Sequence, residues 1–149
     1  MAVISGENSD DHVDPPGGQA RPPRYMHTSA QLTEDGVLHA TTRTWTDILL
    51  SGFHGSVKVL LVNAQGDCVD VSPVHVYGVD GKWIGTHDRT DTWTANFDPK
   101  VAASTASLKF VHSWDPQWLQ SIQNTVQWIG VLIDMIIKAI VQSGKGNVS

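Results

Sequence analysis

The chain has 149 residues, 40% of them hydrophobic and 17% charged, enough for one globular domain with flanking segments and too little for a two-domain enzyme built on a large cofactor fold. Ten Lys and Arg against fifteen Asp and Glu leave a net charge of -5, which argues against nucleic acid or an anionic lipid surface as the main partner. The single cysteine, Cys68, cannot close a disulfide within the chain, so the fold rests on packing and suits a reducing compartment.

Residues 1–31 read as a solvated, disordered leader. They carry neither a basic n-region nor an apolar run of the length a secretory signal needs, which points to a chain kept in the cytoplasm. Between Gly6 and Pro23 the sequence holds the pairs Pro15-Pro16 and Pro22-Pro23 and several acids, with Val13 and Ala20 its only apolar side chains. Such a stretch cannot bury enough to offset its ordering entropy, so order is expected from about Leu32.

Residues 32–115 carry strand signals: short β-branched runs, period-2 alternation, and Gly, Asn or Asp at the breaks. In VLHATTRTWT the alternation puts Val37, His39, Thr41, Arg43 and Trp45 on one face, and that mixed face predicts a strand near a sheet edge. SVKVLLVN, residues 56–63, is aliphatic enough for a central strand and ends in the turn AQGD. Pro73 has no amide hydrogen and marks an edge, a bulge or a break between two short strands in the next run. Asp80-Gly81 is a hairpin turn signal, and further strands are expected over residues 89–95 and 107–114. Between them Asp98 and Pro99 can cap one helical turn. With no longer helical pattern between strands, parallel βαβ units are not expected, and the expected fold is an antiparallel β-sandwich, jelly-roll or immunoglobulin-like, with a small barrel as the alternative.

Trp114-Asp115-Pro116 predicts a helix start, because Asp115 can cap and proline is tolerated at the first helical position. Gly144 stands where a left-handed stop is expected, so one long apolar helix is predicted over residues 116–143, with 144–149 as a tail and Gly130 as the only weak interior position. At 1.5 Å per residue it would be about 42 Å long, against a body roughly 30 Å across. Leu119, Ile122, Val126, Ile129, Ile133, Ile136 and Ile140 alternate at spacings of three and four, a heptad seam. Trp118, Trp128, Val131, Leu132, Met135, Ile137 and Val141 widen the apolar surface, interrupted by Asp134 and Lys138. Three covers compete for it: the chain's own sheet, other copies of the chain or a partner helix, and a lipid surface. Isoleucine at successive seam positions favours helix bundles, so the seam is assigned to self-association or a partner helix.

The densest polar run, GKWIGTHDRTDTW, brings Trp83, His87, Asp88, Arg89, Asp91 and Trp93 together as a candidate ligand loop. Asp80, Asp88 and Asp91 could hold calcium, or Arg89 and the tryptophans could grip a sugar; the competing reading is a polar turn whose Asp side chains bond nearby amides. No EF-hand, metalloprotease, nucleophile-elbow, Walker or dinucleotide-binding pattern occurs, and His54, His75 and His112 have no zinc-site spacing. Cys68, between Asp67 and Asp70, is expected as a buried thiol rather than a reactive one. No catalytic residue, metal or cofactor is assigned. The expected function is that of a non-enzymatic interaction or assembly protein with a β-sandwich recognition head; a membrane-active protein inserting its last helix and a carbohydrate- or calcium-binding module are the alternatives.

Overall fold

A computed structural model describes residues 4–7, 11–12, 24–46, 53–79, 88–125 and 128–149. In chain order the elements are β1 (Ile4–Glu7), β2 (Asp11–His12), β3 (Arg24–Leu32), β4 (Val37–Thr46), β5 (Phe53–Asn63), β6 (Cys68–Val71), β7 (His75–Val79), β8 (Asp88–Asn96), α1 (Pro99–Ser104), β9 (Thr105–Ser113), α2 (Pro116–Thr125), α3 (Ile133–Ser143) and β10 (Gly146–Val148). The strands form two antiparallel sheets in a sandwich-like arrangement. The first runs β1-β3-β4-β8, with β2 also on β3; the second runs β10-β9-β5-β6, with β7 also on β5.

Alternation builds the core. Met26, Ala30 and Leu32 of β3 and Leu38 and Ala40 of β4 face Val57, Val59 and Leu61 of β5 and Leu108 and Phe110 of β9. The same inward rows carry threonines elsewhere, and two of them are paired: Thr28 Oγ1 lies 2.9 Å from Thr42 Oγ1 and 2.8 Å from His112 Nε2, and Trp93 Nε1 donates to Thr42 Oγ1 at 3.0 Å, whereas the buried Thr44 Oγ1 has no partner among the described residues. The aliphatic run around residues 56–63 is a central strand as expected, flanked by β9 and by both β6 and β7. Pro73 does separate two short strands, and Asp98 does cap α1, accepting from the Lys100 amide at 2.9 Å. The Asp80-Gly81 turn lies outside the described residues.

Three expectations need correction. Order does not begin at Leu32: β3 starts at Arg24 with Met26 fully buried, and β1 pairs Ile4 to Glu7 with Leu32 to Ser29. The interior row of β3 is half small or polar, Thr28 and Ala30 beside Met26 and Leu32, which hides a buried strand from an apolar count. The Pro-Pro pairs lie outside the described residues. Second, the strand expected near an edge is paired on both sides, by β3 and by the edge strand β8, so its mixed face reflects exposure to solvent rather than an open edge.

The third correction is the long helix. α2 starts where expected, with the Trp118 amide donating to Asp115 Oδ1 at 3.0 Å, and α3 ends at Gly144 in the left-handed region at φ 71°. Between them the helix is broken. Gly130 has φ +82°, the Gly130 amide donates to Cys68 O at 2.8 Å, the Cys68 amide to Val131 O at 2.9 Å, and the Ile133 amide to Gly66 O at 2.7 Å. Residues 128–132 thus run as a strap along the turn before β6 and its first residue, where Gly66 O and both backbone groups of Cys68 offer an alternative to helical bonding. The break lets the apolar faces lie on the outer side of the second sheet, where Leu119, Trp128, Ile133, Ile136 and Ile140 pack with Leu60, Val62, Cys68 and Val111. The presumed tail contributes β10, paired with β9 through Gly146, Asn147 and Val148. Three layers result: sheet, sheet and helices. Among the described residues no helix is long and apolar enough to cross a membrane.

Candidate functional site

The predicted partner seam is divided by this packing. Leu119, Ile133, Ile136 and Ile140 are buried against the chain's own second sheet, and Ile122 packs half-buried on the same cluster. Ile129 is 57% exposed, and Val126 lies outside the described residues. Among the described residues, the large apolar side chains that this helical layer and its strap leave exposed are Ile129, Leu132 at 51%, Met135 at 62% and Val141 at 56%.

The candidate ligand loop is divided as well. Trp83 and His87 lie outside the described residues, and Asp88, Arg89, Asp91 and Trp93 are on β8, where alternation sends neighbours to opposite faces. Asp88 is held by Arg43, whose Nε and Nη2 donate to its two oxygens at 3.1 and 2.8 Å. Asp91 accepts from Arg89 Nε and Nη2 at 2.7 and 2.9 Å, while Arg89 Nη1 donates to Gly78 O at 2.8 Å. Trp93 is buried in the core and stacks on His75 at 4.2 Å between ring centroids. The acids therefore neutralise arginines instead of converging on an ion. Among the described residues no three His, Cys, Asp or Glu side chains are grouped to hold a metal.

What the fold does assemble is the outer face of the first sheet. Strand register places side chains in cross-strand rows: Tyr25, Trp45 and Asp88; His27, Arg43 and Thr90; Ser29, Thr41 and Thr92; Gln31, His39 and Thr94. β1 extends two of them, with Glu7 opposite Ser29 and Ser5 opposite Gln31. These last two rows floor an open groove of about 910 Å³. At one end, Tyr25 and Trp45 stack with ring centroids 5.1 Å apart, and the Arg43 guanidinium lies 4.1 Å from the Trp45 ring centroid. Glu7 approaches His27 Nε2 at 3.4 Å. Hydroxyl and amide groups recur about every 4.8 Å across the strands and about 6.8 Å along them. Such a face can meet several hydroxyls of an extended ligand at once and offer a flat aromatic end to its C–H surface. Half of this site was visible in the alternation of β4; its partners on β3 and β8 depend on register, which one strand cannot reveal.

The titratable groups inside the molecule lie elsewhere. Burial pushes the Cys68 thiol up to about 11, opposed by its hydrogen bond to the Asp70 backbone carbonyl and only weakly helped by the Asp70 charge, so the expected inert thiol is what the fold produces, through burial rather than through its acidic neighbours. Burial pushes the Tyr77 phenol up to about 12 and lowers the pKa of His75. Lys58 is fully buried on the helix-facing side of β5, where burial brings its amine down to about 8. No family model, curated protein or solved structure matches this chain.

Proposed function

We propose that the protein is a non-enzymatic recognition module that binds a hydroxyl-rich ligand, a saccharide chain, along the outer face of its first sheet. The observation that carries this reading is the register-matched array of Ser29, Thr41, Thr92, Gln31, His39 and Thr94 in a groove, flanked by the Tyr25, Trp45 and Arg43 stack. Saccharides present apolar ring faces beside dense hydroxyls, and an aromatic platform next to short polar side chains answers both. The test is a panel of oligosaccharides followed by calorimetric titration of any that bind. A binder should lose about fivefold in affinity for each hydrogen bond removed, as in Thr41→Val or Thr92→Val, and more in Trp45→Ala. No binding across the panel, or binding indifferent to all three substitutions, rejects the reading.

A second reading, assembly through the helical layer, is favoured by the exposure of Leu132 and Met135 one turn apart beside Ile129. Sedimentation should then report an oligomer that Leu132→Gln with Met135→Gln dissociates. A monomer at micromolar concentration rejects it, and flotation with vesicles would assign these side chains to lipid instead.

A further inference from the structure

Period-two alternation along β5 sends Val57, Val59 and Leu61 into the inter-sheet core and Leu60 and Val62 toward the helices, and Lys58 goes with the second set. It is fully buried there, and its Nζ has no hydrogen-bond partner among the described residues. A lysine stem is long enough to carry its head to water, and on most surfaces it does. Here the head stays beneath the Trp128 ring, 5.4 Å from its centroid. Trp128 begins the strap of residues 128–132, which is held by backbone bonds of Gly130 and Val131 to Cys68 at the start of β6 and of Ile133 to Gly66 in the turn before it, and has the Ile129 and Leu132 side chains turned outward. Trp128 is therefore the strap's main buried anchor, and it is also the roof over the amine.

We propose that Lys58 is a covalent capture site for small apolar aldehydes, uncovered when the strap lifts from β6 and the aldehyde takes the place of the Trp128 ring. Lys58 Nζ attacks the carbonyl carbon, the carbonyl oxygen takes up the two amine protons and leaves as water, and a C=N bond joins Lys58 to the ligand; nothing is oxidised or reduced. The floor of Leu60, Val62 and Val111 selects an apolar partner, and its dryness keeps a fraction of the amine neutral that a solvated lysine reaches only at much higher pH. Cys68 and Asp70 on β6 are the titratable groups that act on it, each favouring the charged amine, and both are outweighed by burial. The capture site is on the opposite side of the molecule from the saccharide face and does not rest on it.

The test treats the full chain with benzaldehyde and sodium cyanoborohydride, which fixes any imine as a stable amine, and locates the product by peptide mass spectrometry. Lys58 should label at least tenfold faster than the exposed Lys100, with a pH profile centred near 8. Trp128→Ala should speed its labelling, and Lys58→Met should abolish that product while leaving the surface lysines unchanged. Labelling of Lys58 no faster than of Lys100, or only at urea concentrations that unfold the chain by circular dichroism, overturns the proposal whether or not the Trp128 variant folds.

Discussion

A lysine with its ammonium in a dry layer stabilises nothing by charge, and Lys58 is held at a cost met by its neighbours. Its amine titrates at about 8 in the folded chain and at 10.5 when solvated, so between these values the unfolded chain holds a proton that the folded one has released. Lys58 therefore destabilises fully below pH 8, and the penalty fades as the pH rises toward 10.5. Lys58→Met should raise stability by about 2 to 3 kcal/mol at pH 7, and urea unfolding should show that advantage shrinking between pH 8 and 10.5. In the parent chain this rise meets an opposing slope above pH 9, because Cys68 keeps its proton up to about 11 when folded and loses it near 9.0 when unfolded. The parent's stability should thus climb from pH 8 to 9, level to about pH 10 and fall beyond it, where Tyr77 keeps its proton only in the folded chain, whereas Lys58→Met should only decline as the pH rises above 9.

The element that decides the architecture is the interrupted helix. A heptad pattern ran unbroken from Leu119 to Ile140, and nothing local to it announces that the start of β6 and the turn before it compete for the backbone at Gly130, Val131 and Ile133. Only Gly130 marked the place, as a weak helical position. Alanine there improves helical propensity but must adopt φ +82°, so Gly130→Ala should cost about 1 kcal/mol and leave the far-ultraviolet helical signal unchanged. A gain in both stability and helicity would mean the continuous helix is the better state. Ile136→Ala, by contrast, empties a site only 3% exposed and should cost about 2 to 5 kcal/mol. The strands were legible for the opposite reason: their alternation is a local property, and β4, β5, β8 and β9 fall close to their expected positions. β3 was missed because Thr28 serves as an interior residue, which takes Thr42 and His112 to explain. The candidate binding face was legible only as the outward side chains of one strand, His39, Thr41, Arg43 and Trp45, since the cross-strand rows are a matter of which strands become neighbours.

At the scale of the molecule, the helical layer belongs to the fold. Leu60, Val62 and Val111 face it across the second sheet, so a chain cut after residue 114 should expose that face and aggregate in size-exclusion chromatography rather than persist as an intact head. The second sheet is also joined at its centre by strands far apart in sequence: Val59 pairs with Phe110 and Val57 with His112, with β6, β7, β8 and α1 all lying between them along the chain. Within that interval β8 must leave to complete the other sheet against β4. Closing such a loop costs entropy before any of its contacts form, and neither sheet can be finished while the other waits. Refolding is accordingly expected in milliseconds to seconds rather than microseconds, with both sheets appearing in a single kinetic phase.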